Sequence, residues 1–232
     1  MAGTPRDRAR ARTMADIVRI GRQHLATDGA AALSLRAVAR DLGVVSSAVY
    51  RYVKSRDELL TLLVVDGYDE LGDAVDRALD EVAADDFVGR QSAIARAVRA
   101  WGLAEPATYA LLFGGPVPGY RAPAEQTTVP GTRVVLALVR VWSEAYAAGR
   151  LAPPPAEVAS PGLLAGFAAV REEIGADVPD DVVAAALFAW AALFGCISWE
   201  IFGQYGPDGV GDPEALFELH LVRLSAAVGL ID

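Results

Sequence analysis

Ser34 to Leu60 reads SLRAVARDLGVVSSAVYRYVKSRDELL, and the fold is decided in these residues. Leu35, Val38 and Leu42 recur at helical spacing. Ala39 stands where a larger side chain would hold two helices apart. Gly43 falls where a helix end needs left-handed backbone. Val44 and Val49 are expected to point back into a small core. Small and apolar residues at these intervals are the spacing of a DNA-reading helix-turn-helix, although any amphipathic helical hairpin reproduces part of it. Ser34 is the expected N-cap of the helix beginning at Leu35. Ser55-Arg56-Asp57-Glu58 is a capping box in which Ser55 and Glu58 satisfy each other's backbone donors, so a long helix should follow to about Leu79.

Outward from this stretch the same periodicity continues, through Ile17, Ile20 and Leu25 before it and Leu59, Leu62, Leu63 and Leu71 after it. Alternating apolar and polar runs bounded by hairpin turns do not occur. The punctuation fits helix ends: TDGAA around Gly29, GGPVPG at 114–119, APPPAE at 152–157, VPDD at 178–181 and GPDGVGDP at 206–213. The chain reads as all-α, with about nine or ten helices. The Pro/Gly-rich segments 114–130 and 151–161 are its longest expected loops, and Asp212 with Pro213 marks the start of the last helix.

Composition narrows the class. The chain has 232 residues, 53% of them hydrophobic, which is ample for a core. Its one cysteine, Cys196, excludes an internal disulfide framework and fits a reducing compartment. No apolar segment follows PRDRARARTM, so a cytoplasmic protein is expected. The longest uncharged run, Val182 to Trp199, approaches the length of a membrane span. It is alanine-rich, flanked by Asp180, Asp181 and Glu200, and lacks a cationic anchor, so it reads as a buried or interfacial helix, with no membrane partner.

The net charge of −9 is unevenly spread. Residues 1–60 carry +5 and the remainder −14, the outline of a small basic DNA-binding module on an acidic body. A solvated arginine-rich tail would give the same figures. Arginine outnumbers lysine twenty to one, as in high-GC bacterial coding sequences.

The motif then resembles a known family. SLRAVARDLGVVSSAVYRYVKSRDELL, with the preceding LATDG, is similar over roughly residues 12–62 to the N-terminal domain of the tetracycline-repressor (TetR) family. What the resemblance implies is a homodimeric transcriptional regulator. Its recognition helices would enter successive major grooves of a palindromic double-stranded operator, and a small molecule bound in the C-terminal domain would release DNA. It divides the chain into a flexible Arg-rich arm (1–11), a helix-turn-helix domain (12–54) and a helical effector-binding and dimerisation domain (55–232).

By the same resemblance Ser34 matches a phosphate-contacting position and Arg36 one that reaches a base edge, where a guanidinium pairs with guanine O6/N7. Ser46 and Ser47 start the recognition helix and Tyr50 lies one turn on. Arg51, Tyr52 and Arg56 match backbone-contacting places, and Lys54 adds charge. Arg36, Ser46, Ser47 and Tyr50 are thus the expected specificity residues. The alternative roles are core packing for Tyr50 and capping for the two serines. Val45 stands where the family often has Ser or Thr, moving the expected cap to Ser46. Val53 replaces a common Phe. Arg6, Arg8, Arg10 and Arg12 either track phosphate as an arm or are a solvated tail.

In the C-terminal body, EPATYALLFGGPVPGYRAP and FAWAALFGCISWEIFGQ resemble a TetR subgroup often called the WHG type. Trp190 and Gly195 match, while Phe194 falls where a His is common. The helix from Val182 to Phe202 and the last helix, with Leu216, Leu219, Val222 and Leu224, offer more apolar surface than a monomer covers. Pairing segments 180–204 and 212–230 with their symmetry mates would give a four-helix interface, with Glu200 paired or at its rim. Tyr68, Trp101, Tyr109, Phe113, Trp142, Tyr146 and Phe167 are candidates for the pocket of an unidentified apolar effector, or simply core residues.

Enzyme readings find no footing. His24 and His220 are the only histidines, and no HExxH, GxSxG, Walker loop or paired-cysteine site occurs. Glu172 and Glu173, being adjacent, point different ways on a helix. No catalytic residue, metal site or cofactor is expected. The alternatives to a repressor are a helical dimeric scaffold with a degenerate DNA-binding domain and an α-helical enzyme without a recognised motif.

Overall fold

Thr4 starts the first helix by a reciprocal cap: its Oγ1 accepts the Asp7 N–H at 3.2 Å and the Asp7 carboxylate accepts the Thr4 N–H at 3.0 Å. With Pro5 at the first helical position, this box sets helix α1 at Pro5–Asp28. Residues 5–11, expected to be a flexible arm, are therefore helical, because a cap and a proline sit just ahead of the arginines.

The computed structural model describes residues 4–155, 160–206 and 209–231; the expected arm's first three residues and parts of two Pro/Gly-rich segments (156–159 and 207–208) lie outside them. After α1 come a 3-10 turn (Ala30–Ala32), α2 (Leu35–Asp41), α3 (Ser46–Tyr50), α4 (Arg56–Asp80), α5 (Phe87–Ala104), α6 (Pro106–Phe113), α7 (Ala124–Ala147), α8 (Pro161–Ile174), α9 (Asp180–Ile201) and α10 (Pro213–Val228). Among the described residues the β pairing is one isolated antiparallel bridge, Leu151 with Leu230. The fold is all-α.

Several helix starts depart from expectation in detail. Ser34 holds the N-cap position of α2 but its side chain accepts no capping hydrogen bond. The cap of α3 falls on Val45, also without a side-chain bond, rather than on Ser46. At α4, Ser55 Oγ accepts the Glu58 N–H at 3.1 Å, while the Glu58 carboxylate reaches one residue further back to the Lys54 N–H at 2.6 Å. Asp212 caps α10 as expected, accepting the Ala215 N–H at 2.9 Å.

The chain divides into two compact units, Met1–Glu70 with Ala104–Gly131, and Leu71–Leu103 with Thr132–Asp232. In the first, Ile17, Leu35, Val38, Ala39, Val49, Val53, Leu59 and Leu63 are buried together. Each of the buried valine, leucine and isoleucine side chains contributes about 1.5–3 kcal/mol of transfer free energy. The loop expected at 114–130 ends early, because α7 starts at Ala124 and carries Pro130 inside it. The next residue, Gly131, lies close to Tyr68; a Cβ at 131 would meet that ring at 3.2 Å.

In the second unit, Leu71, Ile94, Val98, Leu138, Val141, Ile197 and Leu221 form the interior. Arg99 grips Glu200 through two hydrogen bonds of 2.7 and 2.6 Å, which accounts for the one carboxylate of mid-to-late α9 as a paired charge. Among the described helices α9 is long and apolar enough to cross a membrane, yet only 28% of its apolar window is buried in this chain. Leu187, Phe188 and Trp199 of α9, Phe202 just beyond it, and Leu219 and Val222 of α10 are exposed. Leu224, expected on the same face, is turned into the core instead.

Candidate nucleic-acid interface and effector cavity

Ala39 and Val49 are buried where α2 meets α3, and the connection between them turns at Gly43, whose φ of 67° is easy only for a residue without a Cβ. The Gly43 N–H donates to Arg40 O and the Val44 N–H to Ala39 O, both at 3.0 Å, closing the end of α2. Val44 does not join the core as expected: it is 45% exposed, because the closing bonds use its backbone and leave its side chain outside. Val49 alone anchors the five-residue α3.

That anchoring sorts the expected DNA-contacting residues. Arg36 on α2, Ser47 and Tyr50 on α3, and Arg51 and Lys54 just after it are exposed. Ser34 and Ser46, at or beside caps, are half-buried. Tyr52 is also half-buried, with the Arg10 guanidinium 5.4 Å from its ring centroid. Arg56 turns inward: its Nη2 donates to Ala30 O at 2.9 Å and bridges α4 to the 3-10 turn. Arg10, expected to track phosphate in a flexible arm or to be part of a solvated tail, lies instead on a helix against Tyr52. Its spacing of four from Arg6 and seven to Ile17 puts all three on one face of a continuous helix, a signal available once the helix is known to start at Pro5.

Two side-chain ties hold this unit. His24 Nε2 and Asp41 Oδ2 are 2.6 Å apart, joining α1 to the end of α2. That bond, with Arg40 beside it, holds the Asp41 carboxyl below the usual carboxylate range. Arg22 on α1 donates to both carboxylate oxygens of Glu70 and lies 3.4 Å from Asp66 and 3.9 Å from Glu105. Burial nevertheless pushes the Asp66 carboxyl up. The acids of this unit near Arg22 are thus engaged with a cation, while Arg36, Arg51 and Lys54 are exposed beside α3.

The seven candidate pocket aromatics do not gather in one place. Tyr68, Tyr109 and Phe113 pack together in the first unit, with Tyr68–Phe113 centroids 6.0 Å and Tyr109–Phe113 centroids 5.0 Å apart. In the second unit Trp101 and Phe167 are buried and Tyr146 is 38% exposed. Trp142 alone of the seven lines the partly open apolar cavity of about 190 Å³ between α7, α8 and α9. Six valines, Ile174, Ala186, Leu187, Trp190 and Ser143 complete the lining. No charged group faces it, and Ser143 supplies its one hydroxyl, so its chemistry suits an uncharged apolar guest. The valines were missed because their helical spacing is that of any core face. Phe194, at the position where the resembled subgroup commonly has a His, packs at a tilt against Trp190 with centroids 4.3 Å apart.

Comparison with known proteins agrees with this geometry. Residues 13–63 match the family model described as bacterial regulatory proteins, tetR family, and residues 92–224 match the tetracyclin repressor-like C-terminal domain. An HTH-type transcriptional regulator of Mycobacterium bovis is 49% identical over 226 residues, covering 97% of this chain and 95% of its own. One from Mycobacterium tuberculosis matches to the same extent. Among solved structures, a regulatory protein at 34% identity superposes with a TM-score of 0.75 over 96% of this chain and 100% of its own. A Rhodococcus protein of unknown function shares the fold at 24% identity, with a TM-score of 0.70 over 93% and 95% of the two chains.

Proposed function

Because the chain belongs to the TetR family of helix-turn-helix, DNA-binding transcriptional regulators, we propose that it is a repressor that binds a palindromic operator as a homodimer and leaves it when an uncharged apolar molecule occupies the second unit. Members of the family bind operator DNA and act as dimers. The observation that carries the reading is the exposed set Arg36, Ser47, Tyr50, Arg51 and Lys54 around the buried Ala39–Val49 contact. Small residues at the start of α3 let a helix lie deep in a major groove, and cations beside it meet flanking phosphates. Arg36, Ser46, Ser47 and Tyr50 are the proposed base readers. Ser34, Arg51, Tyr52 and Lys54 are the proposed backbone contacts, while Arg56 acts through the turn it holds in place.

The uncovered apolar residues of α9 and α10 support a two-fold interface through 180–204 and 212–230. The cavity beside Trp142 supports the effector reading, and work on the chromosome implies a cytoplasmic protein.

The deciding experiment is binding to DNA upstream of its own and neighbouring genes, in competition with random DNA and titrated with salt. A palindromic site should be bound preferentially, and affinity should fall steeply with salt as phosphate contacts release counterions. Equal binding to random DNA would defeat the reading.

A further inference from the structure

The cavity shares a wall with a buried polar chain. The Trp142 indole Nε1–H donates to Gln91 Oε1 at 2.7 Å. Gln91, on α5 and 3% exposed, donates from Nε2 to Ser225 Oγ of α10 at 2.9 Å. An indole nitrogen only donates, so the amide oxygen must face Trp142, and the amide nitrogen is thereby aimed at Ser225. One side chain with a dictated orientation thus joins the cavity wall to a helix whose Leu219 and Val222 are uncovered. Beside it lies a residual space of about 10 Å³ bounded in part by Gln91, Trp142, Leu221 and Leu224. That is at or below the room one water needs, and it leaves a gap into which the indole can shift.

We propose that Gln91 is the positioning residue through which occupancy of the cavity is reported to α10. The proposal rests on the effector reading of that cavity. A guest that fills the space presses on the indole. The indole cannot tilt far and keep its bond to Gln91, and Gln91 cannot follow it and keep Ser225. Among apolar neighbours a lost bond leaves a buried polar group unsatisfied, which is costlier than moving the three groups together. The displacement therefore arrives at α10, where it alters the face proposed to pair with a second copy. Apolar side chains at these positions would fill the same volume without that directional constraint.

The test uses the full chain, naphthalene as the probe and an operator fragment found by the competition experiment above. Two quantities are measured: naphthalene affinity, from the shift of the Trp142 indole N–H resonance (assigned by its absence in Trp142→Phe), and the ratio of operator affinities without and with saturating naphthalene. In the wild type the resonance shifts and the ratio is about tenfold, within the usual range of coupling between two sites. In Gln91→Leu and Gln91→Met, titrations followed by tryptophan fluorescence show naphthalene still binding, and the ratio falls toward one. Ser225→Ala, which trims only the far end of the chain and disturbs packing least, lowers the ratio as well. A wild-type ratio retained in the Gln91 variants, or in Ser225→Ala should the Gln91 variants not fold, overturns the proposal. Failure of the underlying effector reading looks different: naphthalene leaves the wild-type resonance unmoved, or moves it without changing operator affinity, and either result removes the proposal with it.

Discussion

His24 Nε2 and Asp41 Oδ2 stand 2.6 Å apart, and this bond ties the first helix to the end of the helix that precedes the turn. Because the bond lowers the Asp41 pKa in the folded chain, the aspartate is more readily ionised folded than unfolded. Its contribution to stability is fully present above the ordinary aspartate range, about pH 4, and is lost as pH falls through the lower folded value. Thermal melts of wild type and Asp41→Asn at successive pH values should therefore differ most above about pH 5 and converge under acid. A constant gap from neutrality to pH 2 would count against the bond as the source.

The turn itself tests the role of Gly43. No other atom lies within 4 Å of a Cβ built there, so Gly43→Ala meets no clash and costs only its left-handed backbone. Denaturant unfolding should show a loss of about 1–2 kcal/mol. A neutral result would mean that the turn relaxes freely.

Arg36 is exposed in the first turn of α2. Operator variants scanned one base pair at a time should show that Arg36→Ala loses about 1–3 kcal/mol of discrimination at a single position. Uniform weakening across all sequences would show instead that Arg36 holds phosphate.

Val222 is 66% exposed on α10. Val222→Glu should keep its helical circular dichroism, since the charge is hydrated in the separate chain, while sedimentation at micromolar concentration shifts from dimer to monomer. An unchanged dimer would place the interface elsewhere. A wild-type monomer would sink the four-helix arrangement altogether.

The helix-turn-helix was legible because its determinants are local: Val38, Ala39, Gly43 and Val49 lie within twelve residues and each has one backbone or packing reason to be there. The start of α1 was as local, in Thr4, Pro5 and Asp7, yet the alternating arginines after it carry no apolar periodicity to mark a helix. Pro130 inside α7 was not readable, since a proline in the sequence argues for a break. The cavity was least visible. Aromatic identity does not say which face a ring presents, so six of seven candidate aromatics lie elsewhere, and its valines carry the signature of an ordinary core.

Lys54 has a chemical consequence beyond its charge. No other side chain in the sequence offers a primary amine, and this one is exposed directly after α3. An acylating dye would therefore mark the chain at one side chain, beside the surface proposed to meet phosphate. The chain carries its own footprinting handle: reactivity at residue 54 should fall when DNA covers it and return on release, with no engineered label.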